Sequence, residues 1–395
     1  MNWDIILALV FYFALYIFFV KNRKKFEVQG KVFVLYKTKW GIKLMDAIAK
    51  KFPRLLNALS YVSIIIGFLG MIIMSILLIK LTLDFLIIPN APSQVAPVLP
   101  GVKIPGMPVL SFWHWIIAIL VIATMHEFFH GIYARLNNIK VKSSGFAFLG
   151  PILAAFVEPD EKQMEKKSKK TQLAVLSAGP FINIAFGFVI FALIALVLTP
   201  LNMIMAVPAG TQIYNVIDNS PAQLANLKPG LSIDSVNSIN ITSAEDFQEI
   251  ISSLKPGDAL SLVSNTTKYS LTLDKNPKNE SKAYLGIAVG PREFKIKDST
   301  KSTIWFEIYS WFVVLFLWLF VISLGVGLFN LLPIGPVDGG RMFYLATLHF
   351  TKNSTLAKKF VTGFTIFFLL LILINLLPYI VKLFAFIGSV VALIL

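Results

Sequence analysis

Long apolar runs separated by polar segments dominate this chain. Six runs predict membrane-spanning helices, since a helix needs about 20 apolar residues to cross a bilayer; they are residues 5–20, 61–79, 112–125, 173–198, 304–332 and 361–378. The third is short because His126, Glu127 and His130 interrupt it. A seventh run, 379–395, follows Pro378 and predicts either the far half of a kinked helix or a re-entrant segment. The pattern predicts a polytopic α-helical membrane protein with about six transmembrane helices.

The basic residues predict which side of the membrane each loop faces. Residues 21–57 hold 11 Lys and Arg against two acidic residues, and loops rich in Lys and Arg stay in the cytoplasm. Later loops agree, because residues 137–171 hold seven Lys against four acidic residues, whereas 80–110 hold two Lys. We therefore expect the N-terminus and the 203–302 segment outside, and the polar loops 137–171 and 333–360 inside.

The amino-acid composition narrows the class of protein. Hydrophobic residues make up 56% of the chain and charged residues 14%, whereas soluble domains carry about 25% charged residues. Aromatic residues, at 13%, exclude a disordered chain. Without cysteine there is no disulfide, thiolate metal site or cysteine nucleophile. The net charge of +15 follows the loops, so membrane lipid is an expected partner and nucleic acid is not. The absence of cysteine and of a targeting presequence fits a prokaryotic plasma membrane.

Residues 203–302 form the one large hydrophilic segment, with ten basic and ten acidic residues. Alternating or β-branched residues predict four strands, at 212–217, 233–236, 260–264 and 269–273. Residues 244–254 predict a helix capped by Ser243. We expect a small α+β domain here. The chain then divides into 1–60 (first transmembrane helix and basic cytoplasmic segment), 61–110 (second helix and Pro-rich outer loop), 111–202 (first half of a membrane core), 203–302 (extracytoplasmic domain), 303–360 (second half of the core) and 361–395 (C-terminal helix or helices).

The segment His126-Glu127-Phe128-Phe129-His130 has the spacing of a metal site on a helix. Residues four apart lie on one helix face, so both imidazoles can bind one ion. Glu127 can accept a proton from a water molecule on that ion. Nitrogen ligands together with an oxygen ligand favour zinc. A glutamate at bilayer depth costs about 2.5–3.5 kcal/mol on insertion scales, which argues against a chance occurrence.

Catalytic zinc usually has three protein ligands and one water, so a third ligand is expected. Asp338 is the candidate, because prolines together with Gly339 and Gly340 end the fifth span there, and unwound backbone can bring a carboxylate to a metal. His114 and His349 are the rivals. His114 flanks tryptophans at the outer interface, and His349 lies in an amphipathic stretch beyond the fifth span.

Two amides lie at membrane depth, where each needs a hydrogen-bond partner. Asn183 closes the segment Ser177-Ala178-Gly179-Pro180-Phe181-Ile182-Asn183, and Asn330 opens the segment that leads to Asp338. Close packing of helices would also explain the small residues of the first segment. A functional role and a packing role both remain open for these amides.

Together these segments resemble the site-2 proteases, the intramembrane zinc metallopeptidases. Four motifs appear in the family's order: His126 to Gly131 followed by Ala134-Arg135, residues 145–159 like the membrane-associated β-hairpin, residues 177–183, and residues 330–340 like Asn-Leu-Leu-Pro…Asp-Gly-Gly. The 203–302 segment is similar to a PDZ domain, with Ala225-Asn226-Leu227-Lys228-Pro229-Gly230-Leu231 at the place of Ala-Gly-Leu-x-x-Gly-Asp.

The resemblance implies a zinc metalloendopeptidase with one Zn²⁺ per chain, bound by His126, His130 and Asp338. It implies that Glu127 is the catalytic acid and base, and that Asn183 and Asn330 help bind substrate. Its substrates would be transmembrane segments of other membrane proteins, cut towards the cytoplasmic side. The hairpin would offer an edge strand to the unwound substrate or else cover the site, and the PDZ-like domain would bind peptides or act as a gate.

Two other classes stay open from the residues alone. In a metal-dependent transporter the buried acidic and imidazole groups would be relay groups, although the one-sided insert breaks the inverted symmetry common in transporters. In a non-catalytic receptor whose outer domain captures peptides, a structural zinc would need four protein ligands, and three candidates are found. The oligomeric state is not predicted.

Overall fold

A computed structural model describes residues 3–394, apart from 24–25, 30–32, 89–92, 94, 102–103, 105, 150–151, 202–205, 265–266, 278 and 297–302. The chain forms two compact units, Met1–Ile194 with Phe312–Leu395, and Ala195–Trp311. The helices are α1 (Trp3–Lys21), α2 (Ile42–Lys51), α3 (Pro53–Ile87), α4 (Phe112–Leu136), α5 (Glu161–Glu165), α6 (Lys169–Leu193), α7 (Pro221–Leu224), α8 (Ala244–Ser253), α9 (Thr303–Phe329), α10 (Asp338–Thr351) and α11 (Ser354–Ile394).

Five helices in the described part of the chain are long and apolar enough to cross a membrane. They are Pro53–Ile87, Phe112–Leu136, Lys169–Leu201, Ile304–Phe329 and Ser354–Lys382. The first predicted span forms a shorter apolar helix, Ile6–Lys21, so a count of six stays a prediction. Helix α11 continues through Pro378, and residues 379–394 extend it. The prediction of an integral membrane protein is confirmed.

Four antiparallel strands in the first unit form a sheet in the order β1-β2-β3-β4. They are β1 (Phe26–Gln29), β2 (Phe33–Thr38), β3 (Val141–Leu149) and β4 (Ile152–Pro159). Strands β3 and β4 are a hairpin, and β2 pairs with β3 from Phe33↔Leu149 to Thr38↔Ser144. Strands β1 and β2 lie within residues 21–57, for which the sequence predicted only a basic segment.

The second unit contains the remaining strands and a capped helix. The strands are β5 (Ala206–Val216), β6 (Ser232–Ile233), β7 (Ser235–Val236), β8 (Ile239–Asn240), β9 (Ala259–Ser264), β10 (Thr267–Thr272), β11 (Asp274–Asn276), β12 (Asn279–Tyr284) and β13 (Ile287–Ile296). Ser243 and Asp246 form a capping box at the start of α8, as the predicted N-cap required. The predicted strand 233–236 is wrong in one respect, because β6 and β7 belong to different sheets. The unit has the expected α+β character.

One apolar core joins α2, α3, α4, α6 and α10 around the motif residues. Its fully buried members include Ile132, Tyr133, Ala178 and Met342. Small residues let the helices approach closely, and the hydroxyls of Ser63 in α3 and Ser177 in α6 lie 2.9 Å apart in a buried hydrogen bond. This core holds α4 against α6, where the predicted metal ligands lie.

Candidate metal centre

Helix α4 presents His126 and His130 one turn apart on the same face. Both side chains are buried, and their Nε2 atoms lie 3.1 Å apart. The two side chains share a face because a helical repeat of 3.6 residues brings positions i and i+4 to the same side of the helix. The two imidazoles therefore converge on one point.

Asp338 is the first residue of α10, and it reaches the same point. Its Oδ2 atom lies 3.0 Å from Nε2 of His126 and 3.2 Å from Nε2 of His130. Helix α9 ends at Phe329, and the chain turns before α10 begins. The structure thus brings together the three residues that the sequence predicted as ligands.

Two glycines allow that turn to pack against the start of α10. A Cβ at Gly339 would lie 2.3 Å from the carbonyl oxygen of Leu331, and one at Gly340 would lie 2.1 Å from that of Ile334. The amide of Gly339 donates to the carbonyl of Asn330 at 2.7 Å. The sequence interpretation of these glycines as the end of the fifth span is therefore corrected: they form the first turn of the next helix.

The geometry of the three ligand atoms fits zinc. Tetrahedral zinc binds nitrogen and oxygen at about 2.0–2.2 Å, which separates its ligand atoms by about 3.3 Å, and here they lie 3.0–3.2 Å apart. Gly179 of α6 leaves the adjoining space open. A Cβ there would lie 2.3 Å from Nε2 of His130 and 2.7 Å from Nε2 of His126.

Helix α6 also holds the far side of each imidazole. Nδ1 of His130 lies 2.7 Å from the carbonyl oxygen of Val175, so that nitrogen donates its proton and Nε2 keeps a lone pair for a metal. Nδ1 of His126 lies 3.1 Å from the amide nitrogen of Asn183. The amide oxygen of Asn183 is buried, and the described residues offer it no partner.

Glu127 lies beside the ligand group and contacts the sheet. The ligand atoms of His126, Glu127 and His130 all lie within 4.8 Å of one another. Its Oε2 accepts a hydrogen bond from the backbone amide of Val157 in β4 at 3.1 Å. One carboxylate oxygen is therefore anchored by the sheet, and the other carries no such bond in the described residues.

The remaining candidates lie apart from this group. The side-chain amide of Asn330, in the turn after α9, donates to the carbonyl of Val326 in α9 at 3.0 Å. His114 interacts through Nδ1 with the Ser111 hydroxyl at 2.7 Å. Neither His114 nor His349 belongs to the group of His126, Glu127 and His130, which could hold a metal ion among the described residues.

A family model described as Peptidase family M50 matches residues 114–374. This range contains His126, Glu127, His130 and Asp338 with the helices that carry them. The chain belongs to peptidase family M50. The predicted relationship to the site-2 proteases, and with it the prediction of a membrane zinc metalloprotease, is confirmed.

Similar proteins are found among archaea and bacteria. An uncharacterized protein of Methanocaldococcus jannaschii is 30% identical over 362 residues, which are 90% of this chain and 88% of that protein. The zinc metalloprotease RasP of Shouchella clausii is 25% identical over 243 residues, or 49% of this chain and 54% of that protein. Among solved structures, the PDZ domain of an SdrC-like protein from Listeria monocytogenes is 22% identical. It covers 21% of this chain and 90% of that chain at a TM-score of 0.19, which is too low to define a fold.

Proposed function

We propose that this M50 peptidase hydrolyses peptide bonds in or near the transmembrane segments of other membrane proteins, with one zinc ion per chain. The observation that carries the proposal is the convergence of His126, His130 and Asp338 within 3.2 Å, next to Glu127. Two of these ligands and Glu127 belong to a helix long and apolar enough to cross a membrane.

The zinc ion, when bound, would polarise the scissile carbonyl and lower the pKa of a water molecule. Glu127 performs the proton transfers. The oxygen not held by Val157 accepts the proton from the attacking water and returns it to the leaving amine. The hydrogen bond from Val157 keeps that carboxylate oriented towards the metal ligands.

Asn183 takes a positioning role in this proposal. When Nε2 of His126 binds the metal, its Nδ1 carries the proton and needs an acceptor. The oxygen and nitrogen of a terminal amide have nearly the same shape, so the Asn183 amide turns its oxygen to the ring. The sequence-based role of Asn183 and Asn330 in substrate binding stays a prediction.

The sheet supplies an approach for an unwound substrate. A helical substrate hides its carbonyls in internal hydrogen bonds, so it must extend before cleavage. Strand β4 lies at the end of the four-stranded order and contacts Glu127, and an extended segment could add to such an edge. The basic loops favour a catalytic centre that opens towards the cytoplasm and a PDZ-like insert on the other side.

Cleavage of a single-span test protein by the purified enzyme in detergent tests the proposal. We expect cleavage to stop when a chelator removes zinc and to return when zinc is restored. Cleavage at full rate in protein shown to be free of metal would contradict a metalloprotease. Metal-dependent passage of a small ion without any cleavage would favour a transporter instead.

A further inference from the structure

A cavity of about 410 Å³ lies between the four-stranded sheet and helices α2 and α4. Ligand pockets typically enclose about 300–1,000 Å³, so the cavity can hold a side chain of an extended peptide. Aromatic and aliphatic side chains make up most of its lining, among them Tyr36, Trp40, Met45, Phe128, Phe146 and Phe156.

The cavity is continuous with the catalytic centre because Glu127 forms part of its wall. Val157, whose amide donates to the Glu127 carboxylate, lines it as well. A group inside the cavity therefore sits next to the carboxylate that moves protons. A peptide whose scissile carbonyl lies at the metal ligands would have a side chain close to the cavity entrance.

The lining disfavours an acidic side chain. The hydroxyl of Thr38 donates to the carbonyl of Ser144 at 2.9 Å, and the hydroxyl of Ser144 donates to the carbonyl of Trp40 at 2.5 Å. Both hydroxyl protons are thus already used. An acidic side chain would lose hydration in this lining and would face the Glu127 carboxylate.

We propose that this cavity is a specificity pocket that receives a large apolar side chain, aliphatic or aromatic, of the residue next to the scissile bond. The inference rests on the proposed protease function and adds the class of residue that the enzyme selects. The apolar occupant matches the apolar lining, and burial of its surface stabilises the cleavage-competent complex.

Wild-type enzyme tests the pocket without any variant. The cleaved bond of a leucine-rich single-span test protein is located by mass spectrometry, and the two flanking residues are then replaced singly by Phe, Ala or Asp. At one flanking position we expect kcat/KM to fall at least about tenfold from Leu or Phe to Ala, and further to Asp, because even one methylene can change selectivity by that factor. Equal kcat/KM for Leu, Phe and Ala at both positions would overturn the proposal.

Strand β4 offers a matched pair of variants. Val157 packs against Gly131 of α4, and Ala155 lies two residues earlier, on the same face, and lines the cavity. Ala154, the residue before it in the strand, does not line the cavity. We expect Ala155→Leu to fill the pocket and shift the preference from Phe towards Ala, and Ala154→Leu to leave the wild-type preference.

The outcomes separate the pocket from the protease function. Zinc content measured in each variant reports whether the centre has formed, and the wild-type substrate series stands if Ala155→Leu fails to fold. No cleavage of any substrate by zinc-loaded wild type would contradict the proposed function itself. Cleavage in which Ala154→Leu and Ala155→Leu change the preference equally would overturn only the pocket.

Discussion

Each histidine of the candidate metal centre has a hydrogen-bond partner at its Nδ1 atom. The partner of His130 is the backbone carbonyl of Val175, whereas the partner of His126 is the side chain of Asn183, which a substitution can remove. We expect Asn183→Ala to weaken zinc binding by about 10–100-fold, because loss of such a partner frees the ligand ring to rotate. Competition with a fluorescent zinc chelator measures the affinity.

Asn375 provides the control for loss of a buried amide. Its side chain donates to the Thr82 hydroxyl at 2.7 Å, between α11 and α3. Asn375→Ala should reduce stability while leaving zinc affinity unchanged. Unaltered zinc affinity in Asn183→Ala would refute the positioning role.

At the residue scale, the sequence predicts side-chain ligands but not backbone partners. The spacing of His126, Glu127 and His130 places two imidazoles on one helix face beside a carboxylate, and Asp338 is followed by glycines that allow a close turn. The carbonyl of Val175 and the amide of Val157 are groups that every such residue carries. The residue type therefore does not distinguish these two backbone groups from any others. Their roles become visible only in the structure, where α4 packs against α6 and β4.

The approach of α4 and α6 depends on Gly179. A Cβ there would lie 2.3 Å from Nε2 of His130, and that ring is held at its other nitrogen by Val175. We expect Gly179→Ala to push the helices or the ring apart and to lower the zinc content of purified protein substantially. Metal analysis by mass spectrometry measures the content per chain.

Gly325 in α9 is the matched control for that substitution. No heavy atom lies within 4 Å of a Cβ placed there, and alanine favours helix over glycine. Gly325→Ala should retain full zinc. If Gly179→Ala also retains full zinc, the helices need no glycine at this point.

The hairpin of β3 and β4 should weaken in acid. A hydrogen bond from Ser143 and the nearby Lys37 ammonium hold the pKa of Glu158 below its ordinary value of 4.5. A carboxyl with a lowered pKa stabilises the fold above its ordinary pKa, and the contribution disappears as pH falls through the folded value. Hydrogen exchange, corrected for intrinsic rates, should show β3 and β4 opening more easily below about pH 4.5.

Glu158→Gln separates this effect from general acid unfolding. The variant lacks the titrating group, so its hairpin should show a smaller change in protection over the same pH range. An identical pH dependence in wild type and Glu158→Gln would mean that other groups control the hairpin.

Sequence patterns missed strands in both units, among them β1 and β2 of the first unit. Strand β1 carries Glu27 and strand β2 carries Lys37, and the two side chains form an ion pair at 2.9 Å. Because these residues are charged, the sequence pattern indicated a polar and basic segment. Their sheet is completed by β3, more than a hundred residues later, as the Thr38↔Ser144 pairing illustrates. Local periodicity does not contain that information, whereas the helix α8 and its Ser243 cap are local and were predicted.

For the whole molecule, the insert can be removed without touching the metal ligands. Strands β5 and β13 pair from Ile287↔Val216 to Ile296↔Ala206, so the insert begins and ends at neighbouring positions. His126, His130 and Asp338, the three candidate ligands, belong to the other unit. Replacing residues 206–296 by a short Gly-Ser linker should therefore preserve zinc binding. Loss of zinc in this variant would show that the insert is required to form the centre.

The membrane class was predictable because a bilayer imposes long apolar helices on any chain that crosses it. The M50 match confirms the protease that the motifs indicated. Sidedness rests on the basic loops and the substrate on the family, so both stay proposals. The proposed specificity pocket was not predictable from the sequence, since its cavity arises from side chains on β2, β3, β4, α2 and α4 that only the fold assembles.

The Glu127→Gln variant tests whether Glu127 transfers protons at a zinc centre. Wild type and variant are compared for cleavage of the same single-span test protein, with bound zinc measured in both. We predict that the variant retains about one zinc per chain and loses cleavage, because glutamine cannot accept the proton. Cleavage at the wild-type rate by zinc-loaded Glu127→Gln would show that Glu127 does not transfer the protons.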